Sequence, residues 1–450
     1  MKWKMIYYKK KVTATVQRRF RMERNDPRYG CYIQILKEEL VPAMGCTEPI
    51  ALAFAAAKAR DLLGELPRHI RLQVSGSIIK NVKSVVVPGT NQSKGLQVAA
   101  VAGAVVGHSE RELEVLSALS EVDRRTISEC MERIDVEVEH IELGHVFDII
   151  ITASTDEHIV KVRLVDNHTN IVLLEKDGET ILKKTLSEGE GEWSGADYGC
   201  LTMEGIWDFA TSCDLSEVEE LLERQIRYNC AIAEEGMKND YGANIGKVLM
   251  KTGGDGVRNR AKAYAAAASD ARMNGCEMPV IINSGSGNQG ITCSVPLVEY
   301  AKELKSEKQQ LYRALLLSNL TAIHIKDGIG TLSAYCGAVS AGASAGAGIA
   351  YLLGGDYSTI IHTVVNSLAI VSGIVCDGAK PSCAAKIASS VDAGILGYEM
   401  YCYSQEFKAG DGIVMKGVEE TIRCVGRLGR DGMKETNDEI LSMMVSSASV

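Results

Sequence analysis

Aromatic side chains are scarce, 5% of 450 residues, whereas glycine occurs 43 times. A core of that make-up relies on small side chains and close backbone approach, which favours tightly packed helices. The apolar share of 46% and the charged share of 24% are ordinary for a globular chain with a sizeable core, so disorder and collagen-like repeats are excluded. No internal repeat is found. At roughly 150 residues per domain the length predicts two or three domains rather than one small module.

Acids are missing from residues 1–21, which hold Lys2, Lys4, Lys9, Lys10, Lys11, Arg18, Arg19 and Arg21. With a net charge of −9 overall, the rest of the chain is more acidic still, which argues against a nucleic-acid binder. This basic stretch lacks an apolar run of signal-peptide length, so residues 1–24 are expected to be a disordered tail, with Met22 an alternative start. The 13 cysteines are odd in number, scattered and free of CxxC pairs, which excludes a disulfide scaffold and predicts a reducing, cytoplasmic setting. Charge is also absent from residues 328–355, and residues 359–376 carry only His362. Glycine, alanine and serine dominate the first run, and Asp356 and Asp377 close the two without Lys or Arg anchors. Buried central helices are therefore predicted, not a membrane hairpin.

The pattern along the chain predicts an α+β fold of two lobes. Residues 33–63 read as helical with an interruption at 42–49, and helices are expected near 96–106 and 110–119. Alternating apolar residues predict strands at 70–74, 85–87, around Val136, around Ile149 and around Val160. Beyond Asp214 helices are expected at 215–235, 257–273, 295–320, 334–353, 359–374 and 384–398. The boundaries predicted are 25–205 for a mixed α/β lobe and 206–450 for a mainly helical lobe with small-residue central helices, with the seam in the glycine-crowded segment 187–214.

Three cysteines stand in unusual company: Cys336 in Ser333-Ala-Tyr-Cys-Gly-Ala, and Cys376 and Cys383 in Gly373-Ile-Val-Cys-Asp-Gly-Ala-Lys-Pro-Ser-Cys. Cys336 opens one helix and Cys383 follows a Gly378–Pro381 turn, so the sulfurs can face one point. Thiolates are natural ligands of zinc and iron–sulfur clusters, and three ligands on a cubane leave one iron open as a Lewis acid. The same spacing also suits three packed core cysteines, a structural metal or a redox-sensing thiol site. A fourth thiol, Cys46, sits at a helix start with Thr47 as expected N-cap, where the dipole favours thiolate. Asn283-Ser-Gly-Ser-Gly-Asn-Gln-Gly-Ile291 satisfies GxGxxG, but no second strand follows in range, so dinucleotide binding is not expected. An anion nest for a substrate carboxylate fits better, with Ser284, Gly285, Ser286, Gly287 and Asn288 as its elements. Lys326, in Lys326-Asp-Gly-Ile-Gly330, is a further candidate for a carboxylate or else a solvated loop lysine. His324 and His362 read as satisfied interior histidines.

Met44-Gly-Cys-Thr-Glu-Pro-Ile-Ala-Leu52, the 283–291 stretch, Gly330-Thr-Leu-Ser-Ala-Tyr-Cys-Gly-Ala-Val339 and Cys376-Asp-Gly-Ala-Lys-Pro-Ser-Cys-Ala384 together resemble the L-cysteine desulfidase family, which belongs with the α chain of the iron–sulfur L-serine dehydratases. The resemblance covers nearly the whole chain after the tail. It implies a [4Fe-4S] cluster on Cys336, Cys376 and Cys383, and an α,β-elimination turning L-cysteine into pyruvate, ammonia and sulfide through aminoacrylate. It leaves L-serine dehydration as the competing activity. The Cys46-Thr47-Glu48-Pro49 turn resembles a histidine-bearing turn of the serine dehydratases with cysteine in place of histidine, which implies Cys46 as base or fourth cluster ligand. Elimination requires a base for the α-proton and charge stabilisation for the leaving group. The substrate ammonium is expected near Glu48 or Asp377. A small amino acid is the expected partner, with a homodimer as the commonest assembly and no nucleic acid or membrane.

Overall fold

The computed structural model describes residues 22–185 and 195–446. Most of the predicted basic tail (1–21) and part of the expected seam (187–194) lie outside the described residues. Residues 22–24, expected in the tail, are anchored. Met22 is 3% exposed and donates its backbone N–H to Ser212 Oγ at 3.1 Å, and Arg24 pairs with Asp214 at 2.7 Å.

The fold is α+β, a mixed sheet region followed by a helical part. The strands are β1 (Pro42–Met44), β2 (His69–Val74), β3 (Asp135–His140), β4 (Asp148–Ser154), β5 (Ile159–Val165), β6 (Ile171–Lys176), β7 (Glu179–Lys183) and β8 (Pro279–Ile281). Six of them form one sheet in the order β3-β2-β4-β5-β6-β7, with β2 and β3 parallel and every other pair antiparallel. Ile149 and Ile151 of β4 and Val160, Val162 and Leu164 of β5 are buried, the period-2 signature of a sheet with one covered face. The cover is the helix Thr47–Leu63, whose Ala51, Ala53, Ala55, Ala56, Ala57 and Ala59 are all buried. A second helix, Leu96–Val106, lies against it so closely that a Cβ on Gly103 would stand 2.1 Å from the carbonyl oxygen of Ala53.

Three expectations fail for local reasons. Residues 85–87 form no strand; only an isolated bridge joins Val86 to Lys94, because Pro88 and Gly89 turn the chain at once. The helix expected at 110–119 is a short 3-10 segment, Ser109–Glu114, broken by Glu112 at φ 48°. The true helix starts at Glu121, where Ser120 and Asp123 form a reciprocal capping box. The single helix expected over 295–320 is two, Gly287–Leu304 and Lys308–Ile329, separated at Lys305, which adopts the left-handed conformation at φ 51°.

The helical part is organised by two small-residue helices, Gly337–Leu352 and Cys383–Cys402. A Cβ on Gly342 would meet Ser390 backbone at 2.5 Å, and one on Gly394 would meet the Gly342 carbonyl oxygen at 2.3 Å. Gly346 is held equally close to Gly394. Because 342 and 346 advance alongside 390 and 394, the two helices run parallel and their amino termini lie side by side. Gly287–Leu304 joins in the same sense: a Cβ on Gly337 would meet Gln289, and one on Gly348 would meet Leu297. The uncharged stretch is thus interior packing, and among the described residues no helix is long and apolar enough to cross a membrane.

Gly394→Val is expected to destabilise the protein by about 2–3 kcal/mol, since overpacking against backbone cannot relax by a rotamer change. Gly256→Ala, where nothing lies within 4 Å, is the neutral control. Thermal and denaturant unfolding of both variants check this; an unperturbed Gly394→Val protein removes the close-approach argument.

Candidate active site

The ladder of β1 with β8 pairs Met44 with Pro279 and Pro42 with Ile281, and so ties the turn after β1 to the turn after β8. The first turn carries Cys46 and opens Thr47–Leu63; the second carries residues 283–286 and opens Gly287–Leu304. Thr47 Oγ1 donates to the Gly285 carbonyl at 3.0 Å and joins them directly. Cys46 forms a buried cluster with Val85 and Met273 on which Ala379 and Cys383 pack, which adds the start of Cys383–Cys402, and Gly337 against Gln289 adds the start of Gly337–Leu352. Four helix amino termini therefore meet here. None of their N-cap residues, Cys46, Ser286, Cys336 and Ser382, makes a side-chain capping bond. Some first-turn N–H groups are met by backbone, Cys383 N–H by the Lys380 carbonyl at 3.0 Å and Val339 N–H by that of Cys336 at 3.0 Å, but the positive ends of the four dipoles face the same place.

The thiols lie at these termini. Cys336 is the N-cap of Gly337–Leu352, Cys383 is the first residue of its helix, and Cys376 sits between them in an extended segment bridged through Val375 to Tyr335. Cys376 N–H donates to the Ala334 carbonyl at 2.6 Å and Cys336 N–H to the Ile374 carbonyl at 3.1 Å. Burial, then the neighbouring Cys376 and Cys383, push the Cys336 thiol up to about 12; burial also pushes up Cys383. The three sulfurs are close enough to feel one another electrically. Yet among the described residues no three Cys, His, Asp or Glu side chains close on a point that would hold one metal ion.

Buried cations surround them. Lys80, 1% exposed, donates to Asn437 Oδ1 at 2.5 Å, and burial lowers its pKa against the pull of Cys376, Glu48, Asp377 and Cys336. Gly378, at φ 92°, lets the cysteine loop lie on the Lys80 carbonyl, 2.2 Å from where a Cβ would be. Arg272, 2% exposed, is likewise lowered by burial and faces Cys46, Glu48 and Cys383. Gly287 rests on its guanidinium: a Cβ there would stand 2.2 Å from Nε, an atom without a hydrogen-bond partner. Lys326 is no solvated loop lysine. It lies in the last turn of Lys308–Ile329, donates to the Gly330 carbonyl, and faces Cys376 and Cys336; burial pushes it down to about 8.

Two further expectations change. Cys46, not Thr47, is the N-cap, and its thiol is not a dipole-favoured thiolate: burial and then Glu48 push its pKa well up, so Sγ donates to Glu48 Oε2 at 3.1 Å. Glu48, 9% exposed, lies 3.2 Å from Thr47 Oγ1 and shares that hydroxyl's one proton with the Gly285 carbonyl. Asp377, the other carboxylate considered for an ammonium, is already bonded by Lys380 and Lys386; burial would raise it, but these bonds bring it below the ordinary range. In the nest, Ser284 and Gly285 are both left-handed at φ 48° and 71°. Ser284 Oγ is used within the turn, donating to Asn283 Oδ1 at 2.9 Å, and the Asn288 amide contacts Met273 Sδ at 3.6 Å. The nest's donors are therefore the free N–H groups of Gly287, Asn288 and Gln289 rather than side chains. His324 and His362 do find carboxylates, Glu419 and Glu406, each at 2.8 Å.

Sequence reasoning missed Lys80, Arg272 and His168. Arg272 had a signal: it follows Ala265–Ala268, Ser269, Asp270 and Ala271, all buried, so its helix offers it no solvent face. A cleft of about 580 Å³ lined by residues such as Asp214, Glu219, Lys308 and Arg313 shares no side chain with this site and lacks its convergent thiols.

Lys326 carries a pH signature. Between about pH 8 and its ordinary 10.5 the unfolded chain binds a proton that the folded chain does not, so stability rises with pH across that window and the penalty is complete below it. Lys326→Met is expected to stabilise the metal-free protein at pH 7 by up to about 3 kcal/mol, the gain vanishing above about pH 10.5. Denaturant unfolding at both pH values checks this.

Residues 99–442 match the family described as serine dehydratase alpha chain. The chain is 55% identical over 428 residues to the UPF0597 protein of Desulfitobacterium hafniense, covering 95% of this chain and 99% of that protein. It is 49% identical over 418 residues to the UPF0597 protein of Lachnoclostridium phytofermentans, covering 93% and 100%. To that of Finegoldia magna it is 47% identical over 415 residues, covering 92% and 99%. With the match running through the nest, the three thiols and the small-residue helices between them, the chain belongs to the serine dehydratase alpha chain family.

Proposed function

We propose that the protein is an iron–sulfur-dependent lyase that eliminates the β-substituent of a small L-amino acid, with L-cysteine, giving pyruvate, ammonia and sulfide, as substrate. The observation that carries this reading is a charge imbalance. Buried Lys80 and Arg272 and half-buried Lys326 stand beside the Cys336 and Cys383 thiols, which burial keeps protonated, and four helix termini without side-chain caps point at the same place. The imbalance is relieved when Cys336, Cys376 and Cys383 are thiolates, the form in which they bind metal. Ligands of a [4Fe-4S] cluster stand on different irons and so lie further apart than ligands of one ion, which suits thiols that are neighbours without closing on a point. The family's typical iron–sulfur dependence supports the same group.

In this reading Cys336, Cys376 and Cys383 hold the cluster, which when bound would supply an open Lewis-acidic iron for the negative charge of the leaving group. The chain's own groups do the rest. The N–H groups of Gly287, Asn288 and Gln289, with Arg272 beneath them, hold the substrate carboxylate. Glu48 takes the Cys46 proton along the existing 3.1 Å bond, and the pair receives the α-proton as the Cα–H and Cβ–S bonds break to give aminoacrylate. Burial of Cys46 and Glu48 keeps water from the exchange. L-Serine, giving pyruvate and ammonia, is the second reading, favoured by the family's description.

Anaerobic reconstitution is expected to load about four irons and about four sulfides per chain, with the loading lost in Cys336→Ala. Near-zero loading of folded wild type overturns the reading. Glu48→Gln is expected to keep its iron while kcat falls by about 100-fold or more. Sulfide release from L-cysteine, measured beside pyruvate release from L-serine, decides the leaving group. Gly287→Ala is expected to raise KM at unchanged iron content, because its Cβ displaces Arg272; loss of iron before loss of binding removes the nest from the site.

A further inference from the structure

We propose that His168 recognises the ammonium group of the bound amino acid, an assignment that rests on the elimination reading. His168 comes from the turn between β5 and β6, yet its imidazole is buried at 5% exposure beneath the nest of the helical part. Phe147 holds the ring edge-on, with centroids 4.9 Å apart. On the other side a Cβ on Gly285 would stand 3.0 Å from Cε1 and 3.5 Å from Nδ1, so the ring edge lies on the Ser284–Gly285 turn. Thr47 grips the carbonyl of that same Gly285, and the charges that reach the ring are those of Glu48 and Arg272.

Nε2 is fully buried and has no hydrogen-bond partner. Such an atom is costly, and native structures rarely leave one unless a ligand or water completes it. Around the same turn Arg272 Nε, Asn288 Oδ1 and Gln289 Oε1 are unpartnered too. Burial favours the neutral imidazole, and in the tautomer that leaves Nε2 without a proton the set is one donor and three acceptors. A zwitterionic α-amino acid is its complement: a carboxylate for Arg272, and an ammonium with three N–H donors for acceptors that include His168. Glu48 alone could neutralise an ammonium. His168 selects it by direction, and so discriminates against 2-hydroxy acids and simple carboxylic acids.

The test is steady-state kinetics of the reconstituted enzyme with L-cysteine and L-serine, with equilibrium binding of L-alanine, which has no leaving group. His168→Ala is expected to raise KM and the L-alanine Kd by roughly 10- to 100-fold, the loss typical of a hydrogen bond to a charged group, while iron content and saturated kcat stay within about threefold. His168→Gln, whose amide oxygen can reach towards the Nε2 position, is expected to recover most of the affinity. A purely structural histidine would lower iron content and thermal midpoint and would gain nothing from Gln. Wild-type turnover with KM and Kd unmoved in His168→Ala overturns this assignment alone. A wild type that neither binds nor turns over small L-amino acids overturns the elimination reading, and the assignment with it.

Discussion

The constraint on which the site depends is the backbone contact of Gly342 and Gly346 with Ser390 and Gly394. Side chains of ordinary size would force these helices apart or across one another, as ridges require. Without them the two helices lie parallel and in contact along their axes, and parallel is the costly arrangement because dipoles and termini of like sign come together. Gly287–Leu304 and Thr47–Leu63 add two more positive ends to the same end of the bundle. Globular proteins ordinarily relieve such a convergence with N-cap side chains, and here none of the four caps does so. The fold thus concentrates positive potential at one interior point and leaves it for a bound anion to satisfy.

The buried side chains sharpen this imbalance. Asp377 is spent on Lys380 and Lys386, and Glu39 lies in a bond with Tyr198 at 2.7 Å. That leaves Glu48 facing Lys80 and Arg272, with Lys326 further along beside the thiols. Each group is poorly solvated alone: burial drives Lys80 and Lys326 towards neutrality and Cys336 and Cys383 towards protonation. Together, with thiolates on one side and ammonium groups on the other, both recover their charged forms. That mutual relief is what supports the proposal of a thiolate-ligated group at this site.

Much of the helical part was legible because its signals are local. The 257–273 helix appears at Val257–Met273, and the uncharged run from 334 falls on Gly337–Leu352, since small residues without charge have few alternatives to the interior. Cysteines with glycine and proline around them stood out for the same reason. What was not legible depends on long-range pairing. The β1–β8 ladder joins residues about 240 apart by three-residue strands that have no periodicity to read, and with the Thr47–Gly285 bond it explains why Cys46 meets the 283–286 turn. The Cys46 thiol was misjudged because a dipole is visible in sequence and burial is not; desolvation and Glu48 outweigh the helix end. Lys80 and His168 carry no motif, and the fold recruits them from the sheet region at distances the chain cannot announce.

The two halves contribute different chemistry. The helical part brings the thiols, the N–H nest, Arg272 and Lys326, all of which favour negative charge. The sheet region brings Cys46 with Glu48, and His168, groups that give or accept protons and hydrogen bonds. A small amino acid divides in the same way, with its carboxylate and leaving group needing positive partners and its ammonium and α-hydrogen needing acceptors. Lys80 is the exception, a cation of the sheet region aimed at the thiols and backed by Asn437 of the last helix, Lys434–Ser446. It couples the halves, because Cys376, Asp377 and Cys336 of the other side act on its charge together with Glu48 of its own. Separating the halves would take Lys80 away from Cys376, Cys336 and Asp377 and leave it with Glu48 alone, so the electrostatics that suit the site to its chemistry also draw the two regions together around it.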